Sequence, residues 1–334
     1  MERILRRLDG KRVLLIAPRF FGYEIDIKNE IERRGASVDW LQDRPFDAPL
    51  MMALTKISPT LVTESINNLY QNKLYEFGAT HYDYIFVVNG QTLSKKMLQF
   101  LRSNFPTSKT ILYMWDSIKN RRSVVGNLNL FDETYTFDPQ GYRDYGMKMR
   151  PLFFSKGFEN PICQDHEYDL SFVGTAHCDR YSVIKKLSKN LNPSLSTFWY
   201  LFLQAPWVFY GYRLVKVSMR GAQLNEFNFK PLDKTKVESI FSTSKAILDI
   251  EHPKQTGLTM RTFEAMGAQK KLVTTNSLIS NYDFFNVDNV CILDRTNPIV
   301  PQEFFEKPFR PLPKNVYQRY TIEGWLDEIM GLNH

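Results

Sequence analysis

Between Ala246 and Asn276 the sequence reads AILDIEHPKQTGLTMRTFEAMGAQKKLVTTN: an apolar run, a turn marked by Pro253 and Gly257, a helical stretch stopped by Gly267, and a second apolar run. Two parallel strands need a long crossover, usually a helix, so this order commits the segment to a βαβ unit with its polar groups gathered at the strands' carboxyl ends. Arg261 and Glu264 are three apart and share a helix face. A planar guanidinium suits phosphate oxygens, and a carboxylate suits sugar hydroxyls. The preceding turn, Lys254, Gln255, Thr256 and Gly257, offers a basic side chain and successive backbone amides, a cradle matched to a diphosphate. One helix and its turn can therefore grip both halves of a nucleotide.

The rest of the chain repeats this alternation. Runs at 11–17, 37–41, 84–88, 110–114, 133–137 and 150–153 read as strands, and stretches at 24–34, 62–75, 93–104 and 139–145 read as helices, which predicts a doubly wound first half. A polar, irregular stretch from Ser155 to Glu167 reads as a linker. A second βα series follows, with strands predicted at 168–173, 246–250, 271–275 and 289–293 and helices at 181–191, 235–241 and 259–266. The loop Gly174 to Arg180 follows the first strand of this series and precedes a helix, where amides and the positive dipole end favour anions. It places Gly174, His177 and Arg180 beside the same ligand, with Asp179 as the helix cap.

The segment from Tyr168 to Leu293 resembles the donor-binding half of GT-B glycosyltransferases, the bacterial group 1 and CgeB-like types that build capsule, exopolysaccharide or lipopolysaccharide. The resemblance implies two Rossmann-like α/β lobes facing across a cleft: an acceptor lobe over 1–156, a donor lobe over 157–320, and a helix at 321–334 crossing back to the first lobe. It also implies a nucleotide-sugar donor, with Glu264 on the ribose, and a hydroxyl acceptor on a growing, lipid-linked surface glycan. Many relatives carry a second glutamate eight positions before the first. Thr256 stands there, and the stereochemistry of transfer stays open. On the acceptor side Asp116, which ends the run Tyr113-Met-Trp-Asp, is expected either as the base that deprotonates the acceptor or as the cap of the following turn. Arg19, Gly22 and Tyr23, after the first strand, are expected to border the cleft. An epimerase of the same fold, or a non-catalytic nucleotide-sugar-binding component of a capsule assembly complex, is the alternative.

Charge and cysteine usage narrow the class. A net charge of +7 over 334 residues is mild, its cations are interspersed, and no nucleic-acid-binding module is present, so a nucleic-acid role is disfavoured. Cys163, Cys178 and Cys291 are scattered, which argues against a disulfide framework or a zinc site and for a reducing, cytoplasmic setting. Asp249-Ile-Glu251 mimics a metal-binding D-x-D pair, yet basic residues able to neutralise a diphosphate point to a metal-independent reaction with no cofactor beyond the donor. The aromatic stretch at 198–220, broken by Pro206, reads either as a peripheral contact with the inner face of an anionic membrane or as a buried helical insertion or oligomer contact.

Overall fold

The computed structural model describes residues 7–43, 59–159, 165–253 and 255–332. The chain divides into two compact units, Met1–Pro151 with Trp325–His334, and Leu152–Gly324.

In the first unit, β1 (Arg12–Pro18), β2 (Ser37–Asp43), β3 (Tyr84–Val88), β4 (Lys109–Met114), β5 (Glu133–Thr136) and β6 (Lys148–Met149) form a parallel sheet in the order β2-β1-β3-β4-β5-β6. The central strands are apolar at consecutive positions because helices cover both faces of a parallel sheet. Those helices are α1 (Tyr23–Arg33), α2 (Pro59–Phe77), α3 (Lys95–Asn104) and α4 (Pro139–Tyr145). Gly22 starts α1 at φ 77, a left-handed conformation that glycine adopts without steric cost, and Glu24 and Asp26 then lie in the turn where the helix dipole favours negative charge. Ser94 and Asp138 cap α3 and α4 by accepting from the amides of Met97 and Gln140.

The strand expected at 150–153 is not formed. The ladder stops at Met149, since Pro151 has no N–H to extend it and the buried Arg150 side chain is drawn to the partly exposed carboxylate of Glu328, 2.9 Å away.

The second unit holds β7 (Tyr168–Thr175), β8 (Thr197–Phe202), β9 (Ser244–Asp249), β10 (Lys271–Thr274) and β11 (Val290–Ile292), again parallel, in the order β11-β10-β9-β7-β8. Its helices are α5 (Arg180–Asn190), α6 (Pro206–Val215), α7 (Lys234–Ser242), α8 (Met260–Gly267), α9 (Gln302–Glu306) and α10 (Lys314–Arg319). β8 corrects the reading of the aromatic stretch as one helical insertion. Its first part is an edge strand paired with β7 from Leu170↔Thr197 to Thr175↔Phe202, and only the part from Pro206 is helical. Phe, Trp, Tyr and Thr in succession fit a pleated surface better than a helix, where aromatics and β-branched residues lose rotamer freedom.

The last helix, α11 (Ile322–Met330), belongs from Trp325 onward to the first unit. Trp325 is fully buried there, edge-on to Tyr113 at 4.8 Å between ring centroids and 5.8 Å from Phe86.

Each sheet reverses direction around its first strand. β1 lies between β2 and β3, and β7 between β8 and β9, so successive crossovers leave on opposite sides and the loops at the carboxyl ends part to form a crevice.

Candidate functional site

At the second unit's switch point, β7 ends in Gly174-Thr175 and β9 in Asp249, with α5 and α8 starting just beyond. Two guanidinium groups meet over the ring of Phe172, that of Arg261 at 5.2 Å from the ring centroid and that of Arg180 at 5.8 Å. Gly174 makes the arrangement possible. A Cβ there would stand 2.9 Å from Arg261 Nη2, 3.1 Å from Phe172 Cζ and 3.4 Å from Arg180 Nη1.

The two arginines differ in what holds them. Arg180 is buried and fixed across the switch point, donating from Nε to the Ile250 carbonyl at 2.7 Å and from Nη1 to the Thr175 carbonyl at 3.1 Å. Among the described residues, Arg261 has one long polar contact, Nη1 to Asp249 Oδ1 at 3.5 Å, and its buried Nε has no hydrogen-bond partner. Buried donors are nearly always satisfied, so an unpaired guanidinium edge beside a second guanidinium is a feature that an anion would complete.

The electrostatics agree. Burial, and next the charge of Arg261, push Arg180 down to about 10. Burial pushes His177 down to about 4, helped by Arg180, His252, Arg261 and Lys216, so the imidazole is uncharged at neutral pH. The rings of His177 and His252 lie 6.1 Å apart. Arg180 and Arg261 thus repel one another at the end of the sheet, and an anion bound between them would relieve that repulsion.

The nearby carboxylates serve the protein. Asp249 is buried and accepts from Thr259 Oγ1 at 2.7 Å and Thr262 Oγ1 at 2.8 Å, which ties the start of α8 to the end of β9. Glu251 accepts from Thr275 Oγ1 and, at 2.6 Å, from Arg295. Arg295 also binds both oxygens of Asp179 at 2.8 Å. Asp179 therefore does not cap α5; its carboxylate is turned to Arg295.

The loop residues also divide. Lys254 lies outside the described residues. Gln255 shapes the loop, its amide donating to the His252 carbonyl at 2.8 Å and its side chain to the Gly257 carbonyl at 2.9 Å, so the cradle of successive amides expected from the sequence loses that donor. Thr256 is half-buried and Gly257 buried, its carbonyl also accepting from Asn276 at 3.4 Å. In the loop after β7, the amides of Ala176 and His177 are spent on Phe202 and Thr175 carbonyls. Glu264 is buried one helical turn beyond Arg261.

The first unit's switch point carries a different surface. Phe20 and Phe21 are exposed, and Phe20 and Tyr23 lie 6.0 and 6.4 Å from Trp115, giving an aromatic patch over the ends of β1 and β4. Arg19 stacks on Trp40 at 5.6 Å. Asp116 accepts at Oδ1 from the Ser117 amide (2.9 Å) and Asn120 (3.2 Å), and pairs at Oδ2 with Arg121 (2.8 Å), contacts that close the turn after β4.

Sequence reasoning missed Arg295 and Phe172. Arg295 sits in an irregular loop with no motif, whereas Phe172 was readable: residues two apart on a strand share a face, so the ring had to lie beside Gly174.

No protein-family model matches the chain, and no curated protein matches its sequence. Its fold matches solved structures. A glycosyltransferase from Rickettsia africae aligns at TM-score 0.60 and 10% identity over 96% of this chain and 97% of that one. HepE of Anabaena, solved with UDP-glucose, aligns at 0.58 and 10% over 96% and 98%, and the UDP-GlcNAc 2-epimerase of Neisseria meningitidis, solved with UDP-GlcNAc, at 0.54 and 13% over 96% and 99%. At such identities the likeness establishes the fold, which is GT-B.

Proposed function

We propose that the chain is a glycosyltransferase that takes a UDP-sugar through its second unit and transfers the sugar to a hydroxyl of a growing surface glycan carried on a lipid, at the cytoplasmic side of a membrane. The observation that carries this reading is the pair Arg180 and Arg261, set over Phe172 at the switch point with a buried Nε unpaired. As the donor's glycosidic bond breaks, the diphosphate gains charge, and two fixed guanidiniums stabilise it without the reorganisation that water would need. They supply the role for which other transferases use a divalent cation. Glu264 is assigned to the ribose, and Gly174, His177, Thr256 and Gly257 to the walls around the diphosphate. Lys254 is assigned to the same anion from its position in the sequence. In the first unit, Arg19, Gly22 and Tyr23 are assigned to the acceptor side and Asp116 to proton removal, for which its carboxylate would first leave Arg121.

Among the described residues no helix is long and apolar enough to cross a membrane. The proposal therefore needs peripheral access to the lipid.

The epimerase likeness supports a second reading, in which the chain converts a free sugar nucleotide. Incubating the protein with UDP-sugars in the presence of a chelator, with and without a lipid-linked glycan acceptor, separates the two. The transferase releases UDP only with acceptor present, and Asp116→Asn lowers that release while leaving donor binding alone. Conversion of the sugar without acceptor would establish the epimerase. Loss of activity on chelation would remove the metal-independent step.

A further inference from the structure

α6 is apolar on both its faces. Phe209 and the partly buried Val208 and Tyr212 pack on the second unit's core, while Trp207, Tyr210, Leu214 and Val217 stand 53–86% exposed. Trp207, Tyr210 and Leu214, three and four residues apart, share one stripe of the helix, and Val217 is exposed in the turn that follows it. A surface helix ordinarily shows water its polar side, so an outward apolar stripe marks an interaction surface.

The charges around the stripe select the partner. No Asp or Glu occurs between Asp179 and Glu226. Arg213 and Arg220 are exposed beside the stripe, and Lys216 lies 3.3 Å from the centre of the Tyr212 ring, its apolar stem alongside its own helix. Trp and Tyr, with an apolar ring and one polar atom, belong at headgroup depth, and each Arg or Lys adds attraction to anionic lipid. A protein partner's apolar patch would not require that every charge on the helix and the turn after it be cationic.

The stripe is also joined to the donor loop. α6 runs into a short turn at Val217–Met219, from which Ser218 Oγ donates to the Cys178 carbonyl at 3.3 Å. Lys216 is one of the cations acting on His177.

We propose that α6 and the turn after it dock the protein in the headgroup layer of an anionic membrane, Trp207, Tyr210, Leu214 and Val217 entering the interface and Arg213, Lys216 and Arg220 binding anionic headgroups. Docking then holds the loop Gly174 to Arg180 at the bilayer, which suits a lipid-linked acceptor; that last step rests on the function proposed above.

Flotation of the full chain with vesicles of pure phosphatidylcholine and of an equimolar mixture with phosphatidylglycerol tests the docking. Binding is expected to the mixture and weaker binding to pure phosphatidylcholine. The double variant Trp207→Ser, Leu214→Ser should lose at least about tenfold in partitioning, and Arg213→Gln, Arg220→Gln should lose the preference for anionic lipid. Thermal stabilisation by UDP should be unchanged in both variants. Equal partitioning of wild type and variants, or no partitioning, would overturn the proposal. So would self-association of the wild type that the Ser variant abolishes, since the stripe would then join two copies. Vesicle binding without UDP stabilisation would leave the docking in place and remove the transferase reading instead.

Discussion

Arg261→Ala is expected to abolish most donor use, lowering kcat/KM by about 10²–10³, roughly 3–4 kcal/mol, because a charge-assisted contact to developing phosphate charge is among the largest single contributions a side chain makes. The same change should leave the fold as stable as before, or more so. Among the described residues the native guanidinium has one 3.5 Å polar contact beside its stacking on Phe172, keeps a buried Nε unpaired, and repels Arg180. Removing it relieves that repulsion, and alanine is the best helix former for a first-turn position of α8. Activity lost at constant or raised melting temperature is the signature of a residue kept for binding at a cost in stability. A parallel loss of stability and activity would make Arg261 a structural residue.

Trp325→Ala is expected to cost about 3–5 kcal/mol, the range for emptying a large buried aromatic site. The indole is fully buried, edge-on to Tyr113 and against Phe86, and it fastens α11 to the sheet of the first unit. The loss should appear in chemical denaturation followed by circular dichroism. UDP binding, proposed for the second unit, should survive at temperatures where that unit is still folded. A stability change under 1 kcal/mol, on the order of an exposed substitution, would mean the helix contributes little to that unit.

What could be read in the sequence follows from which interactions are local. Strands β1, β3, β4 and β9 were legible because burial on both faces leaves near-continuous apolar runs, and helices α1, α4 and α8 because Gly22, Asp138 and Gly267 mark their ends. The pairing of Arg261 with Glu264 on one helix face was legible from spacing. β8 was not: on a sheet edge its aromatic run has neither clean alternation nor a helical period, and only the ladder with β7 decides it. The engagement of Asp179 with Arg295, 116 residues apart, and the spending of the Gln255 amide on His252 are decided by tertiary geometry and local turn formation that no motif encodes. The meeting of Arg180 with Arg261 over Phe172 lies between these cases. Strand order dictates that the β7 and β9 loops part at one place, but strand order is itself non-local.

Donor recognition, as proposed, rests on the second unit holding a diphosphate through those two guanidiniums. Calorimetric titration of the intact protein with UDP and with uridine measures that directly, since the ligands share base and ribose and differ only in the anion. UDP is expected to bind at least about a hundredfold more tightly, about 3 kcal/mol, with the difference shrinking as salt is added. Equal affinity for the two, or a preference for UDP that Arg261→Ala leaves untouched, would contradict it.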